Sequence, residues 1–267
     1  MLIAQISDLH IAAPGKQAFG IAPTAENLVR SIDHINQLNP APDLVLVTGD
    51  LVNYGTAEET RRARSLLEKL QFPCFIVPGN HDDREILWDS FGEKAIPSRF
   101  ESFFNYVIKG HDIRLIALDS TAPGQPGGHI CTRRTAWLDG QLAQAEGQPV
   151  IIFMHHPPLK CSVLETDEDG FTGADRLGQV VEKHRNIERI LCGHIHLVTH
   201  ASWRGTIVST APSMGLQLGL DLTMTRESEF YKEAPGYLLH HWTAQQDLIT
   251  HSISVRDLDG PYLFEEQ

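Results

Sequence analysis

Short apolar runs, each followed by polar or glycine residues, recur along most of the chain. Runs of four to six residues without alternation are typical of strands that are buried on both faces of a sheet. Helical spacing of apolar residues fills most of the intervals between these runs, so the order strand, helix, strand predicts parallel strands in an α/β (α+β) fold. The predicted strands are Leu2–Ile6, Leu44–Val47, 74–77, 113–118, 150–154 and Ile187–Cys192.

The predicted helices lie between these strands. The first begins at Thr24, taken as its N-cap, and its apolar positions recur until Pro40. The second begins with the capping-box pair Thr56 and Glu59. Segments 136–145 and 175–185 are predicted helices, helical pieces are expected between 84 and 104, and the acidic stretch 165–173 is predicted to be a solvated loop.

The pattern changes after residue 200, where short strands replace the alternation. Residues 215–235 are rich in Leu, Met and aromatic residues without a clear period, which indicates a cap, a lid or a subunit contact. We predict a catalytic core over 1–200, and a region over 201–267 whose strands complete the core and whose insert is a cap or oligomerisation element. We therefore expect a homo-oligomer, a dimer or larger. The predicted C-terminal strands are 206–209, 237–242 and 248–255.

Residues that can bind metals follow five of the predicted strands. In open α/β sheets the chemistry lies at the carboxyl ends of the strands. The most specific motif is Gly193-His194-Ile195-His196, in which two imidazoles follow an apolar run and a glycine. The candidate ligands are Asp8, His10, Asp50, Asn80, His155, His194 and His196.

Seven oxygen and nitrogen ligands without a thiolate suit borderline metals such as Mn, Fe, Co and Zn. A single tetrahedral zinc uses only four ligands. Two ions about 3.5–4 Å apart, bridged by one carboxylate, would use all of them. The sequence therefore predicts a binuclear site of two divalent or trivalent ions (Mn, Fe, Co or Zn), with Asp50 as the bridge.

Each motif also has an ordinary structural explanation. An Asp-x-His or a Gly-Asp after a strand is usually a turn, since Asp favours turns. Gly79-Asn80-His81-Asp82 is more specific, and Gly-His-x-His is more specific again. Their occurrence together, each at a strand end, favours one shared metal site over a set of unrelated turns.

The composition limits the partners. The net charge is −12 and no cluster of Lys or Arg is present, which argues against a nucleic-acid polymer as a partner. Four cysteines without a CxxC pair argue against a disulfide scaffold and a zinc ribbon. The N-terminal residues do not resemble a signal peptide, and no apolar stretch is as long as a membrane span. We therefore expect a cytoplasmic protein with no membrane partner.

The complete motif set resembles that of the calcineurin-like metallophosphoesterases, over roughly residues 1–210. This resemblance implies a four-layer αββα sandwich of two mixed β-sheets flanked by helices. It also implies that one ion is held by Asp8, His10, Asp50 and His196, and the other by Asp50, Asn80, His155 and His194. The motifs that carry it are Asp8-x-His10, Gly49-Asp50, Gly79-Asn80-His81-Asp82, His155 and Gly193-His194-x-His196.

Within that family the chain resembles one branch most. It lacks the Asp-Arg pair that the protein serine/threonine phosphatases carry after Gly49-Asp50, and Asp82 stands where they have Glu. Segments 78–83 and 153–159 resemble the class III cyclic-nucleotide phosphodiesterases and, more narrowly, the bacterial glycerophosphodiesterase branch. Some relatives place a His in the loop after the last core strand, where this chain has residues 213–217 without one.

The resemblance and the ligand set imply a metal-dependent hydrolase of small phosphodiesters, either 3′,5′-cyclic nucleotides or glycerophosphodiesters or both. Divalent ions lower the pKa of bound water toward about 7, so attack of a metal-bound hydroxide on phosphorus is expected. The alternatives are a phosphomonoesterase, pyrophosphatase or nuclease of the same superfamily, and a metal-binding interaction scaffold. The acidic composition argues against a nuclease, and the complete ligand set argues against a scaffold.

Other residues near the motifs have weaker assignments. His81 is the candidate general acid or transition-state stabiliser, with a purely orienting role as the alternative. Asp82 is the candidate to fix the His81 ring. His156 is expected to be structural, because successive residues at a strand end point in opposite directions. Asn53 and Phe19 could contact substrate or simply pack in their loops. No spacing signal distinguishes His240, His241 and His251.

Overall fold

The computed structural model describes residues 1–260 and 262–264. None of the described helices is both long and apolar enough to cross a membrane. The helices are α1 (Thr24–Asn36), α2 (Ala57–Leu67), α3 (Arg84–Ala95), α4 (Thr132–Ala143), α5 (Leu164–Asp169) and α6 (Ala174–Lys183). The strands are β1 (Leu2–Ile6), β2 (Leu44–Val47), β3 (Cys74–Ile76), β4 (Tyr106–Ile108), β5 (Arg114–Ala117), β6 (Gly128–His129), β7 (Val150–Phe153), β8 (Phe171–Thr172), β9 (Ile187–Cys192), β10 (Thr199–Trp203), β11 (Thr206–Thr210), β12 (Leu216–Leu218), β13 (Phe230–Lys232), β14 (Gly236–Trp242) and β15 (Leu248–Ser254).

Two mixed sheets form the body of the fold. The first has the order β15-β14-β1-β2-β3, with β1, β2 and β3 parallel and β14 antiparallel to β1. The second has the order β10-β11-β9-β7-β5-β4, in which β5, β7, β9 and β11 are parallel. Two mixed sheets flanked by helices were predicted, and this fold class is confirmed.

The apolar core lies between the sheets and beneath the helices. Ile3 in the first sheet, Phe153 in the second and Leu28 on α1 are fully buried in one cluster. A second cluster, on the other face of the second sheet, includes Leu138 on α4 and Leu177 on α6. Apolar burial is the main source of stability, so this layered packing fixes the strand ends relative to one another.

The C-terminal region is built into both sheets. Strands β10 and β11 extend the second sheet, and β14 and β15 extend the first. The predicted insert contains a two-stranded antiparallel ribbon of β12 and β13, called here the ribbon. The domain boundary near residue 200, a role of the ribbon in oligomerisation and the cytoplasmic location stay predictions.

Helix starts show where local sequence signals succeed and fail. The capping box of α2 is present, since the Glu59 N–H donates to Thr56 Oγ1 at 3.2 Å and the Thr56 N–H donates to Glu59 Oε2 at 3.3 Å. Thr24, predicted as the N-cap of α1, is instead its first residue, and Pro23 holds the cap position. The Thr24 hydroxyl donates to the His10 carbonyl oxygen at 3.0 Å, so it joins two loops instead of capping a helix.

The prediction that the acidic stretch 165–173 is a solvated loop is wrong for most of its length. The stretch contains most of α5 and all of β8. The Asp167 carboxylate accepts hydrogen bonds from the N–H groups of Cys161 at 2.7 Å and Ser162 at 3.1 Å. These bonds hold the turn that precedes α5, which is why this polar segment is ordered as a short helix.

Candidate metal centre

The carboxyl ends of parallel strands from both sheets meet at one place. β1, β2 and β3 of the first sheet and β7 and β9 of the second each lead into a loop with candidate ligands. The structure brings all seven together within a network of short side-chain distances. We call them the strand-end cluster: Asp8, His10, Asp50, Asn80, His155, His194 and His196.

Five residues of the strand-end cluster have left-handed backbone conformations. Their φ angles are 54° at Asp8, 42° at His10, 51° at Asp50, 74° at His194 and 54° at His196. Non-glycine residues adopt this region rarely, and such strain persists where the surroundings fix it, typically at functional sites. The His194 N–H helps to fix it by donating to the Asp8 carboxylate at 3.0 and 3.2 Å.

Two motif glycines allow the loops to approach each other closely. A Cβ atom on Gly193 would collide with the Ser7 hydroxyl and would lie 2.6 Å from Asp8 Oδ2. A Cβ atom on Gly79 would collide with the carboxylate and the backbone nitrogen of Asp50. Both positions therefore require glycine, because the two carboxylates already occupy the space that a side chain would need.

One group of possible ligands consists of Asp8, His10, Asp50 and His196. The Nε2 atoms of His10 and His196 lie 3.0 Å apart, and His10 Nε2 is 3.7 Å from Asp50 Oδ2. His196 Nε2 is 3.4 Å from Asp8 Oδ1, and its Nδ1 donates to the Leu216 carbonyl oxygen at 2.8 Å. Among the described residues, the buried Nδ1 of His10 has no hydrogen-bond partner.

Asp50 also faces a second group, formed with Asn80, His155 and His194. His155 Nε2 lies 3.4 Å from Asp50 Oδ2 and 3.1 Å from Asn80 Oδ1. The ring centroids of His155 and His194 are 5.1 Å apart. His155 Nδ1 donates to the Thr48 carbonyl oxygen at 2.7 Å, so Nε2 is the nitrogen directed into the cluster. The Asp50 carboxylate thus lies between the two groups.

The pKa values show that this site attracts positive charge. Burial lowers the pKa of His155, but the Asp50 and Asp8 carboxylates and the hydrogen bond to Thr48 together outweigh burial and raise the pKa to about 9. Burial also lowers the pKa of His196, but the Asp8 and Asp50 carboxylates and the hydrogen bond to Leu216 together outweigh it, so the pKa is raised. Burial lowers the pKa of both His10 and His194 to about 3, which keeps these imidazoles neutral. Neutral imidazoles and carboxylates that converge on shared space, without a thiolate, fit divalent metals.

His156 lies beside the second group but is already bonded to the protein. Its Nδ1 is 2.8 Å from Ser120 Oγ, and its Nε2 donates to the Pro126 carbonyl oxygen at 3.0 Å. Its ring centroid is 4.6 Å from that of His194. His155, His156 and His194 lie close enough together to hold a metal ion, but both ring nitrogens of His156 already have partners, so we do not count it among the ligands. The ring centroids of His155 and His156 are 4.7 Å apart, so the two side chains do not point in opposite directions as expected, and the structural role of His156 stays a prediction.

The His81 ring is oriented by a backbone carbonyl. Its Nδ1 donates to the Asn53 carbonyl oxygen at 2.8 Å, and its backbone N–H donates to Asp50 Oδ1 at 2.9 Å. The prediction that Asp82 fixes this ring is therefore corrected. The prediction that Asn53 contacts substrate is corrected too, because its side chain is only 1% exposed and does not line the cavity beside the cluster. It acts through its carbonyl oxygen.

Asp82 joins two of the loops instead. Its carboxylate accepts hydrogen bonds from the N–H groups of Leu51 at 3.1 Å, Val52 at 3.1 Å and Gly79 at 2.8 Å. Burial and the nearby Asp50 carboxylate raise the pKa of Asp82 to about 7. Asp82 therefore holds the loop after β2 against the loop after β3, and its effect on His81 is indirect.

A cavity of about 250 Å³ opens over the strand-end cluster. Its outer wall, called here the mouth, consists of Phe19, Glu165, Asp169, Leu218 and Ser228. Phe19 is 46% exposed, and its ring centroid lies 5.6 Å from that of His10; its contact with substrate stays a prediction. The Ser228 N–H donates to Glu165 Oε1 at 3.3 Å, which links the segment after β12 to α5.

Several groups that shape the site were not found from the sequence. The carbonyl oxygens of Thr48, Asn53 and Leu216 orient three imidazoles, and a backbone carbonyl has no signature in a sequence. Glu165 and Asp169 were assigned to a solvated loop. Their only signal was acidity, which does not indicate the direction in which the side chains point.

Comparisons with known proteins show which proteins this chain resembles. A family profile described as calcineurin-like phosphoesterase matches residues 1–198. The chain is 37% identical over 267 residues to a protein of Arcobacter nitrofigilis named probable glycerophosphodiester phosphodiesterase GpdQ, covering 99% of this chain and 97% of that one. It is 31% identical over 268 residues to glycerophosphodiester phosphodiesterase GpdQ of Enterobacter lignolyticus, covering 100% and 95%.

Two further comparisons are more distant. The 3′,5′-cyclic adenosine monophosphate phosphodiesterase CpdA of Escherichia coli (strain K12) is 26% identical over 215 residues, covering 80% of this chain and 76% of CpdA. The crystal structure of a dimetal phosphatase from Danio rerio superposes with a TM-score of 0.65 at 14% identity, covering 96% and 99% of the two chains. At that identity, the structural similarity concerns the fold alone.

Proposed function

The chain belongs to the calcineurin-like phosphoesterase family, and we propose that it hydrolyses small phosphodiesters with two metal ions bound at the strand-end cluster. Family membership together with the His and Asp cluster implies divalent metals. The observation that carries the proposal is the Asp50 carboxylate, whose Oδ2 lies 3.7 Å from His10 Nε2 and 3.4 Å from His155 Nε2. The similar proteins named as phosphodiesterases support the reaction class.

We assign the ligands to two overlapping half-sites. The donor set suits Mn, Fe, Co or Zn, and one bridging carboxylate spans the roughly 3.5–4 Å between the ions of a binuclear site. The first half-site is Asp8, His10, Asp50 and His196. The second half-site is Asp50, Asn80, His155 and His194.

The chain's own residues would act on the departing group. When bound, the metals supply Lewis acidity and an activated water. His81 lines the cavity, and with Nδ1 bonded to the Asn53 carbonyl oxygen its Nε2 is the nitrogen left for the substrate. A proton on His81 Nε2 would pass to the oxygen that leaves phosphorus. General acid catalysis of this kind contributes roughly 10²- to 10⁴-fold.

The cavity over the strand-end cluster fits a small substrate, and the described part of the chain presents no basic side chain other than imidazoles to it. The cavity of about 250 Å³ is lined by no Lys or Arg among the described residues, so bound metals would provide the positive charge that a phosphodiester needs. We propose glycerophosphodiesters as the main substrates, supported by the similarity to the GpdQ proteins over nearly the whole chain. The similarity to CpdA supports 3′,5′-cyclic nucleotides as the second candidate class.

The ribbon and the turn it carries offer a surface for self-association. Leu220, Leu222 and Tyr231 are 52%, 70% and 58% exposed there. Large apolar side chains grouped at one exposed segment are typical of contact surfaces. We propose a dimer or larger, and light scattering after size exclusion should give a multiple of 29.8 kDa. A mass of one chain would contradict this.

The function is tested by turnover of three diesters. Protein reconstituted with Mn²⁺ or Co²⁺ should hydrolyse bis(p-nitrophenyl) phosphate and glycerophosphoethanolamine, and cyclic AMP tests the second candidate class. The Asn80→Ala variant removes one oxygen ligand of the second half-site and should lose most of this activity. Failure to hydrolyse any diester with both metals bound would contradict the proposed function.

A further inference from the structure

Gln5 is the polar residue of strand β1, and it lies where the two sheets face each other. Its side chain is fully buried. The amide Nε2 donates to Thr48 Oγ1 at 3.0 Å and to the Cys192 carbonyl oxygen at 2.9 Å. Thr48 follows β2 of the first sheet and Cys192 ends β9 of the second. One buried amide therefore bridges the two sheets directly beneath the strand-end cluster.

The amide oxygen is bonded as well. His240 Nε2 donates to Gln5 Oε1 at 3.0 Å, and His240 Nδ1 is 2.8 Å from Thr250 Oγ1. Arg189 donates to the same hydroxyl oxygen at 2.9 Å. A carbonyl oxygen can only accept, so the contact with Cys192 fixes which end of the Gln5 amide is the nitrogen. A buried network with its members bonded in this way is rigid and holds one arrangement.

Both residues that receive hydrogen bonds from Gln5 lie next to ligands of the second half-site. The Thr48 carbonyl oxygen accepts the His155 Nδ1 hydrogen bond at 2.7 Å and so sets the direction of His155 Nε2. Cys192 is separated from His194 by one glycine. A shift of either residue would move an imidazole of this half-site.

The first half-site has different support. His196 is oriented by the Leu216 carbonyl oxygen on the ribbon, and the Asp8 carboxylate is held by the His194 N–H. The His196 contact involves neither Gln5 nor its two partners. The Asp8 contact is linked to them, because His194 follows Cys192 by two residues and the hydroxyl of Ser7, next to Asp8, donates to the Thr48 carbonyl oxygen at 3.3 Å.

We infer that Gln5 is a positioning residue that acts mainly on the affinity of the second half-site for its metal. Its bonds reach Thr48 and the segment before His194, whereas His196 of the first half-site is oriented from the ribbon. The inference rests on the proposed binuclear site, but it does not require that a diester be the substrate. Groups that orient metal ligands typically change metal affinity by about 10- to 100-fold. A change of that size in one half-site only is a result that general destabilisation of the fold would not produce.

The test measures Co²⁺ binding to the full-length apoprotein by calorimetry and absorption spectroscopy. Gln5→Met is placed in two backgrounds. His10→Ala leaves all four ligands of the second half-site in place, and His155→Ala leaves all four ligands of the first in place. We expect Co²⁺ affinity to fall about 10- to 100-fold in the first background and by less than about twofold in the second. Equal losses in both backgrounds, or no loss in either, would overturn the inference.

Two companion variants separate positioning from folding. His240→Leu leaves both bonds from Gln5 to the sheets in place, so Co²⁺ affinity should stay within about twofold of wild type. Gln5→Leu combined with His240→Leu removes both polar partners, which avoids leaving a buried donor unbonded. This double variant should fold and still bind Co²⁺ weakly at the second half-site; normal affinity would refute the assignment. A protein that binds both Co²⁺ ions normally but hydrolyses no diester would refute the proposed function and leave this inference standing.

Discussion

The strand-end cluster and the mouth of the cavity are built in different ways. Cluster residues follow strands of the two packed sheets, are mostly buried, and have imidazoles that donate to backbone carbonyl oxygens, as His155 and His196 do. Mouth residues come from α5, from the ribbon with its turn, and from the loop between β1 and α1, and Phe19, Glu165 and Asp169 are exposed. Their side chains are held by few bonds, of which Ser228 to Glu165 is one.

This difference predicts a division of roles. A rigid, buried cluster can hold metal ligands in a fixed geometry, which the reaction needs. An exposed mouth on short irregular segments can change without disturbing that geometry, and it contacts the parts of the substrate that do not react. Changes in the cluster should therefore lower kcat, and changes in the mouth should mainly alter KM.

The largest effect is expected for Asp50→Ala, because Asp50 is the carboxylate shared by both half-sites. Loss of the bridge should weaken both metals and lower kcat by roughly 10³-fold or more. Metal content by mass spectrometry and turnover of bis(p-nitrophenyl) phosphate measure this. Asp139→Ala is the matched control, since Asp139 pairs with Lys183 and His184 away from the cavity. Retention of full activity by Asp50→Ala would show that the cluster is not the catalytic centre.

His81→Ala should separate chemistry from metal binding. His81 is not among the proposed ligands, so both metals should remain, while kcat should fall by roughly 10²-fold or more because the proton donor is lost. His241→Ala, at an exposed position on β14, is the control. The loss of a metal in His81→Ala would mean that His81 is a ligand and that its catalytic role is wrongly assigned.

The same contrast explains how much the sequence could predict. Short apolar runs such as Leu44–Val47 appear as strands with the predicted bounds, because burial on both faces leaves a pattern in the sequence. The seven candidate ligands were proposed because each follows such a run, and the structure brings them together. Asp82 was misassigned, since its sequence position next to His81 does not reveal that its carboxylate faces the N–H groups of Leu51 and Val52.

The parts that the sequence did not predict depend on contacts between distant segments. Thr24 is of a residue type that favours helix N-caps, but its hydroxyl donates a hydrogen bond to the His10 carbonyl oxygen instead. Gln5 was read as part of an apolar run, and its role depends on Cys192 and His240, which are more than a hundred residues away. The mouth was the least predictable region, because an acidic segment gives the same signal whether it forms a solvated loop or the wall of a cavity.

A smaller effect is expected where the cluster meets the ribbon. His196 Nδ1 donates to the Leu216 carbonyl oxygen, so a metal that holds the His196 ring should also restrain the start of the ribbon. Local opening controls proteolysis, and trypsin cleavage after Arg226 should therefore be slower with metal bound, by roughly tenfold. Cleavage after Lys69, in the exposed turn after α2, serves as the control and should not depend on metal. Equal cleavage after Arg226 with and without metal would show that the ribbon and the cluster are independent.

The smallest effect is expected for Phe19→Ala at the mouth. The Phe19 ring lies 5.6 Å from His10 and 5.8 Å from Phe230, and almost half of it is exposed to the cavity side and solvent. Its removal should take away an apolar contact with the non-reacting part of the diester, so that KM rises roughly threefold while kcat changes less than about twofold. Ile21→Ala, an exposed apolar residue of the same loop that does not line the cavity, is the matched control. If Phe19→Ala lowered kcat as strongly as His81→Ala, the separation between a catalytic cluster and a selective mouth would be wrong, because a residue of the mouth would then be needed for the reaction itself.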